Sequence, residues 1–191
     1  MRIVAGTARG TRLDCPPGEK VRPTPEMARQ AIFNILRDAV EGAAALDLFA
    51  GVGTFGIEAL SRGAARCVFV ERSAKHMQFL ERNLQRAHLA DRADLLLRDV
   101  FRCAGALAVL GRPADIAFVG PPFPLLDDPS SRAALVALLN EFAGRRLLNR
   151  GCVLILQHDT RHPIPEATPR LGAAGRRSYG RNVFTLYKFT E

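Results

Sequence analysis

Asp47-Leu48-Phe49-Ala50-Gly51-Val52-Gly53-Thr54-Phe55-Gly56 is the stretch that decides the fold. An apolar run over 43–48 leads into it, and a helical pattern over 54–62 leads out of it. A strand, a glycine-rich turn and a helix in that order let the backbone approach a ligand where a Cβ would clash. Taken alone, Gly51-x-Gly53-x-x-Gly56 is a dinucleotide fingerprint and leaves the ligand open.

The acids around the turn narrow the choice. Asp47 ends the first apolar run, Glu71 ends the second, and Asp99 follows Leu95-Leu96-Leu97-Arg98 at the end of the third. A carboxylate at 47 attracts an ammonium or a sulfonium and repels a pyrophosphate. Glu71 is placed to accept both hydroxyls of a ribose, and Asp99 to accept from an adenine amino group. Singly, each acid could be a helix cap or a turn residue. Together they point to S-adenosylmethionine rather than NAD, with Asp47, Phe49, Gly51, Gly53, Gly56, Glu71, Asp99 and Val100 as the expected binding set.

Beyond the turn, strands are expected at 43–48, 66–70, 94–98, 115–119 and 152–157, with helices at 54–62, 73–88, 100–109 and 130–143. Runs such as Cys67-Val68-Phe69-Val70 are apolar throughout, as parallel strands covered on both faces require. Gly63 and Gly111 fit helix ends. Residues 175–189 read as a final antiparallel hairpin with Val183, Phe184, Leu186 and Phe189 as its apolar contacts. Before the first strand, residues 2–13 suggest a short hairpin. Thr24 is expected to cap a helix begun by Pro25, with Ala28, Ala31, Ile32, Ile35, Leu36 and Ala39 on its inner face.

With 191 residues, 48% hydrophobic and 24% charged, the chain is long enough for one well-packed core. It holds no apolar run of the roughly 18 residues that a membrane span needs. Nor does its start resemble a signal peptide, so a cytoplasmic monomer is expected. Cys15, Cys67, Cys103 and Cys152 lie too far apart for a zinc motif, and Cys67 and Cys152 should be buried. His158 and His162, beside Pro163 and Pro165, read as loop residues; no metal site is expected.

The net charge of +8 gathers at the ends. Residues 1–40 carry seven Lys or Arg against four Asp or Glu, and residues 161–191 carry six against two. Such segregation suits a polyanion; the strong preference for arginine throughout the chain can raise the net charge but does not by itself explain the segregation. Arg2, Arg9, Arg12 and Arg22 are the expected phosphate contacts, with Arg176, Arg177 and Arg181 as further candidates.

At this point the chain resembles a known family. Asp47-x-Phe49-Ala50-Gly51-x-Gly53-x-x-Gly56, Glu58-Ala59-Leu60-Ser61-Arg62-Gly63-Ala64 and Pro121-Pro122-Phe123 resemble the bacterial ribosomal RNA guanine-N2 methyltransferases that act on 16S rRNA. Arg2-Ile3-Val4-Ala5-Gly6, Arg9-Gly10, Arg22-Pro23-Thr24, and Arg29 with Phe33-Asn34-Ile35-Leu36 are similar to that family's N-terminal pattern. The resemblance implies a Rossmann-like class I methyltransferase: a mostly parallel seven-stranded sheet with helices on both faces over 41–191, and an RNA-binding hairpin and helix over 1–40. It also implies 16S rRNA or the 30S subunit as partner, and Gly120, Pro121, Pro122 and Phe123 as the catalytic loop, with Phe123 stacking on the base. The chain departs from the pattern at Gly120, where an Asp or Asn would supply a side-chain acceptor. The competing readings are a weakened relative that binds RNA without modifying it, a DNA or protein-amine methylase, and an NAD-dependent oxidoreductase.

Overall fold

The computed structural model describes residues 1–18 and 24–189. Seven strands form one sheet in the order β3-β2-β1-β4-β5-β7-β6. They span Ala44–Leu48 (β1), Arg66–Glu71 (β2), Ala93–Leu97 (β3), Ala114–Val119 (β4), Leu148–Asp159 (β5), Leu171–Tyr179 (β6) and Asn182–Phe189 (β7). β1 to β5 pair in parallel; β7 runs antiparallel to both β5 and β6. This is the mostly parallel Rossmann-like sheet expected. β5 is longer at both ends than its apolar run, and the final hairpin begins at Leu171 rather than 175.

Strand residues alternate between two cores. Ala45, Cys67, Phe69, Ile116 and Phe118 face one side, where they meet α1 (Glu26–Leu36), α2 (Thr54–Ser61) and α3 (Ala74–Arg86). Leu46, Leu48, Val68, Val70, Ala117 and Val119 face the other, toward α4 (Ala104–Leu110), α5 (Phe123–Asp127) and α6 (Pro129–Gly144). Each large apolar side chain buried this way stabilises the fold by about 1.5–3 kcal/mol. The helical pattern over 100–109 divides: a 3₁₀ turn at Val100–Arg102 precedes α4.

Three N-terminal expectations need correction. Pro25, not Thr24, occupies the cap of α1; the Thr24 hydroxyl donates instead to Gln157 Oε1 at 2.9 Å on β5. The inner face of α1 is Ala28, Arg29, Ile32, Phe33 and Leu36, with Ile35 turned outward. Arg29 can take an interior position because Glu58 neutralises it there. Residues 2–13 turn back as a hairpin would, but only one bridge, Arg2 with Arg12, has strand geometry. Ile3, Ala8 and Leu13 are buried in the α1–α3 core, so this segment packs as part of the molecule.

Candidate active site

β1 and β4 are neighbours, so the turns that follow them open at the same sheet edge. Leu48 stands opposite both Val70 and Val119, and the Gly120 N–H continues the ladder by donating to the Leu48 carbonyl at 3.1 Å. The glycine-rich turn and the Gly120-Pro121-Pro122-Phe123 segment therefore share one crevice.

On the β1 side the carboxylates hold backbone. Asp47 is buried and its Oδ2 accepts from the Gly56 N–H at 2.8 Å. Burial pushes its carboxyl up to about 8, against the pull of that hydrogen bond, and the nearby Glu71 charge adds to the rise. Glu71 Oε2 accepts from Gly51 N–H, and Oε1 from Ser73 N–H, each at 2.8 Å. Asp99 Oδ1 accepts from Phe101 N–H at 2.9 Å and so caps the 3₁₀ turn, while Val100 beside it turns its side chain into the core. An ionised carboxylate has about four acceptor sites, so these bonds leave Glu71 and Asp99 able to take hydroxyl or amino donors. Gly53 adopts φ +86°, and a Cβ there would lie 2.2 Å from Leu80 Cδ1. Phe49 holds a left-handed φ of +59° without being glycine, its ring edge-on to Phe101 at 6.1 Å. Acids and glycines without a lysine or arginine in the turn fit a ligand with a cationic tail and a ribose. The site thus suits S-adenosylmethionine, whose ammonium can draw the Asp47 carboxyl into its charged form.

The β4 side is built differently. Pro121 is buried, Pro122 exposed, and Phe123 opens α5 rather than extending a loop. A Cβ at Gly120 would meet nothing within 4 Å, and its φ lies outside the left-handed range, so neither space nor backbone requires glycine there. Neither nearby acid replaces the missing acceptor. Asp128 caps α6 through the Ser130 and Ser131 N–H groups, and Asp127 Oδ1 bonds His162 Nε2 at 3.0 Å. Asp115 lies at the far end of β4, bonded to Ala44 N–H and Asn149.

Of the two histidines read as loop residues, His162 is one and His158 is not. His158 lies within β5, buried, with its basicity pushed down to about 4, chiefly by that burial. His162 follows β5, is also buried, and accepts at Nδ1 from the Asp159 N–H at 3.2 Å. Its Nε2 therefore carries the proton and donates to Asp127. The ring stands edge-on to Phe123 at 6.1 Å. Beside it, the buried Asp159 carboxylate accepts from Arg161 Nε at 3.1 Å and from Arg181 Nη2 at 2.5 Å. His162 thus grips both ends of α5, Phe123 and Asp127; only the folded chain reveals that function. Among the described residues no group of three or more His, Cys, Asp or Glu is placed to hold a metal. No helix among them is long and apolar enough to cross a membrane.

Of the expected phosphate contacts, Arg2, Arg9 and Arg12 are exposed and on the α1–α3 side, and Arg22 lies outside the described residues. Arg2 already pairs with Glu26 at 3.4 Å. Beneath them Glu58, fully buried, accepts from Val4 N–H, Ala5 N–H, Arg29 Nε and Arg62 Nε at 2.8 to 3.4 Å. Ser61 adds bonds to Ala8 N–H and to the Ala5 carbonyl. The Glu58-to-Ala64 motif therefore fastens the N-terminal segment to the helix that starts in the glycine turn, a function that sequence reading did not assign. The i,i+4 spacing of Glu58 and Arg62 was the visible clue.

Comparison with known proteins extends along nearly the whole chain. The Bacillus subtilis protein YlbH, provisionally named an rRNA methyltransferase, is 31% identical over 188 residues, covering 98% of each chain. "Ribosomal RNA small subunit methyltransferase D" of Escherichia coli K12 is 29% identical over 188 residues, covering 98% of this chain and 89% of its own. The solved Escherichia coli protein yhhF, provisionally a methyltransferase, superposes with a TM-score of 0.81 at 28% identity, covering all of this chain and 98% of its own. The family model described as Conserved hypothetical protein 95 matches residues 1–188, and the chain belongs to that family.

Proposed function

We propose that the chain transfers a methyl group from S-adenosylmethionine to the exocyclic N2 amine of a guanine in 16S rRNA, within the assembling 30S subunit. The observation that carries this reading is the meeting of two unlike loops on adjacent parallel strands. One has buried acids and glycines; the other has Pro-Pro-Phe. The names borne by the relatives support the class of activity.

Asp47, Glu71 and Asp99 would hold the cofactor by its ammonium, ribose and adenine. Bound there, S-adenosylmethionine supplies an electrophilic methyl. In the transfer the amine nitrogen would take the methyl carbon, the carbon–sulfur bond would break to leave a neutral thioether, and one amine proton would pass to solvent. The guanine amine is a weak nucleophile because its lone pair is delocalised into the ring. The Gly120 carbonyl can accept one amine hydrogen and aim the lone pair, while Phe123 stacks on the extruded base. With no side chain at 120, a second acceptor is missing, and losing one such preorganised bond costs about 3–4 kcal/mol. Proximity and alignment of donor and amine are untouched by it.

The alternative, a relative that binds RNA but transfers methyl slowly or not at all, rests on the missing acceptor alone and is not favoured by the names that the relatives bear. Transfer of labelled methyl to unmethylated 30S subunits separates the two. Label recovered as N2-methylguanosine with the natural chain supports the enzyme. Label that appears only with Gly120→Asp supports the binding role, and label on another base or only on DNA would overturn the substrate assignment.

A further inference from the structure

We infer that the β6 edge of the sheet, with Arg176 and Arg177 at its centre, is a second contact for the phosphates of the RNA strand flanking the target base. The inference rests on the RNA reading above and adds a location to it.

The placement follows from strand register. Val119 stands opposite Leu156, Leu156 opposite Thr185, and Thr185 opposite Arg176, so one row runs from β4 to β6. Three inter-strand steps put Arg176 about 14 Å from Val119, the last residue of β4. β6 is parallel to β5, so its C-terminal half, which carries both arginines, lies toward the same sheet edge as the catalytic segment. Successive strand residues point to opposite faces. Arg176 pairs in register with Thr185 and lines a groove with Arg161, His162 and Ile164. Arg177 pairs with Phe184 and faces the side that carries the N-terminal segment. The two cations therefore straddle the edge.

The chemistry of the edge selects a phosphate backbone. Gly172 to Ser178 are all exposed and include two arginines, no acid and no side chain larger than alanine among the apolar residues. From 161 to 189 there are six Arg or Lys against a single acid, Glu166, which reaches Arg176 at 3.5 Å. The nearby carboxylate of Asp159 is buried under Arg161 and Arg181, and Asp127 is engaged by His162 and Arg161. A partner strand adding to β6 is the competing occupant of an open edge. The bulge between Ala173 and Gly175 and the two adjacent charges work against it. Arg2 pairs with Glu26 at the start of α1, and the segment that carries Arg9 and Arg12 is bonded to Ser61 of α2 and Arg86 of α3, so these cations form a separate basic region on the α1–α3 side.

The test measures binding of the full chain to 16S rRNA transcript across salt concentrations, beside methyl transfer to 30S subunits. Natural chain is compared with the Arg176→Ala/Arg177→Ala and Arg176→Lys/Arg177→Lys double variants. Each lost phosphate contact on a single strand should lower the slope of log affinity against log salt by about 0.7, so the alanine pair should lower it by about 1.4. The lysine pair should keep most of the slope. S-adenosylhomocysteine affinity identifies folded protein, and Arg177→Gln alone, expected to lower the slope by about 0.7, serves if the alanine pair does not fold. An unchanged slope in folded variants overturns the inference. So does an unchanged slope on the transcript with weakened binding to the 30S subunit, because the edge would then meet a protein. Absence of methyl transfer by the natural chain would overturn the enzyme reading alone, since the salt slopes are read independently of it.

Discussion

The two walls of the crevice are held in different ways. On the cofactor wall, carboxylates accept from backbone N–H groups: Asp47 from Gly56, Glu71 from Gly51 and Ser73, Asp99 from Phe101. On the base wall, side chain holds side chain across long sequence gaps: His162 to Asp127, Arg181 to Asp159, Phe123 against His162. The first wall is set by a short local motif and is rigid once its strands pair. The second depends on loops after β4, β5 and β6 arriving together, and its contacts use ionisable groups. The difference teaches that the methyl-donor pocket is held by contacts other than those that hold the segment that would present a base.

Breaking the support of the cofactor wall should have the largest effect. Glu58→Ala would leave Arg29 charged, buried and unpaired, with one of its nitrogens already without a partner. Unfolding free energy by urea titration is expected to fall by about 3–5 kcal/mol. A loss below 1 kcal/mol would show that water already reaches Arg29.

Restoring the acceptor on the base wall comes next. Open space at Gly120 means that Gly120→Asp should fold normally and speed methyl transfer by about 10²-fold in single-turnover assays. An equal or slower rate would mean that the main-chain carbonyl suffices and that glycine is there for another reason.

Loosening α5 is a smaller change. His162→Ala should slow methyl transfer roughly tenfold by removing a hydrogen bond to a carboxylate and letting Phe123 shift. S-adenosylhomocysteine affinity should stay near that of the natural chain, which is the contrast between walls stated as a measurement. Combined with Asp127→Asn, the two losses should be non-additive, because both act through one contact. A His162→Ala variant that binds S-adenosylhomocysteine poorly would show that the walls are coupled.

The gentlest probe is pH. A carboxyl raised to about 8 by burial is protonated at neutral pH, and an ammonium placed beside it would draw its pKa down. Binding then releases a proton, so S-adenosylhomocysteine affinity should rise with pH, by at most about tenfold per unit, and level off above 8. Asp47→Asn should flatten the profile. For stability of the free protein the sign is opposite to that of a salt-bridged carboxylate. The raised pKa favours the fold fully below the unfolded value near 4, and this contribution is lost as pH climbs toward 8.

The sheet was legible because each central strand is an uninterrupted apolar run that only a doubly covered parallel strand can bury, as with Cys67 to Val70 and Ile116 to Val119. The glycine turn was legible for the same local reason. The misread N-terminal positions depended on partners far away in sequence. Thr24 left its cap for Gln157, 133 residues on. Arg29 took an interior position that a polar residue does not signal, because Glu58 met it there.

What the sequence by itself determined, then, is the order of strands and helices, the position of the acid-rich turn, and the concentration of positive charge at both ends. Those follow from apolar periodicity, backbone sterics and composition, all of which act within a few residues or as sums. Only the tertiary structure decided that His162 braces Phe123, that Asp127 is committed to His162, and that Arg176 shares a row with the end of β4. Such contacts join residues 30 or more positions apart, and their free energy exists only after the sheet has closed the distance between them.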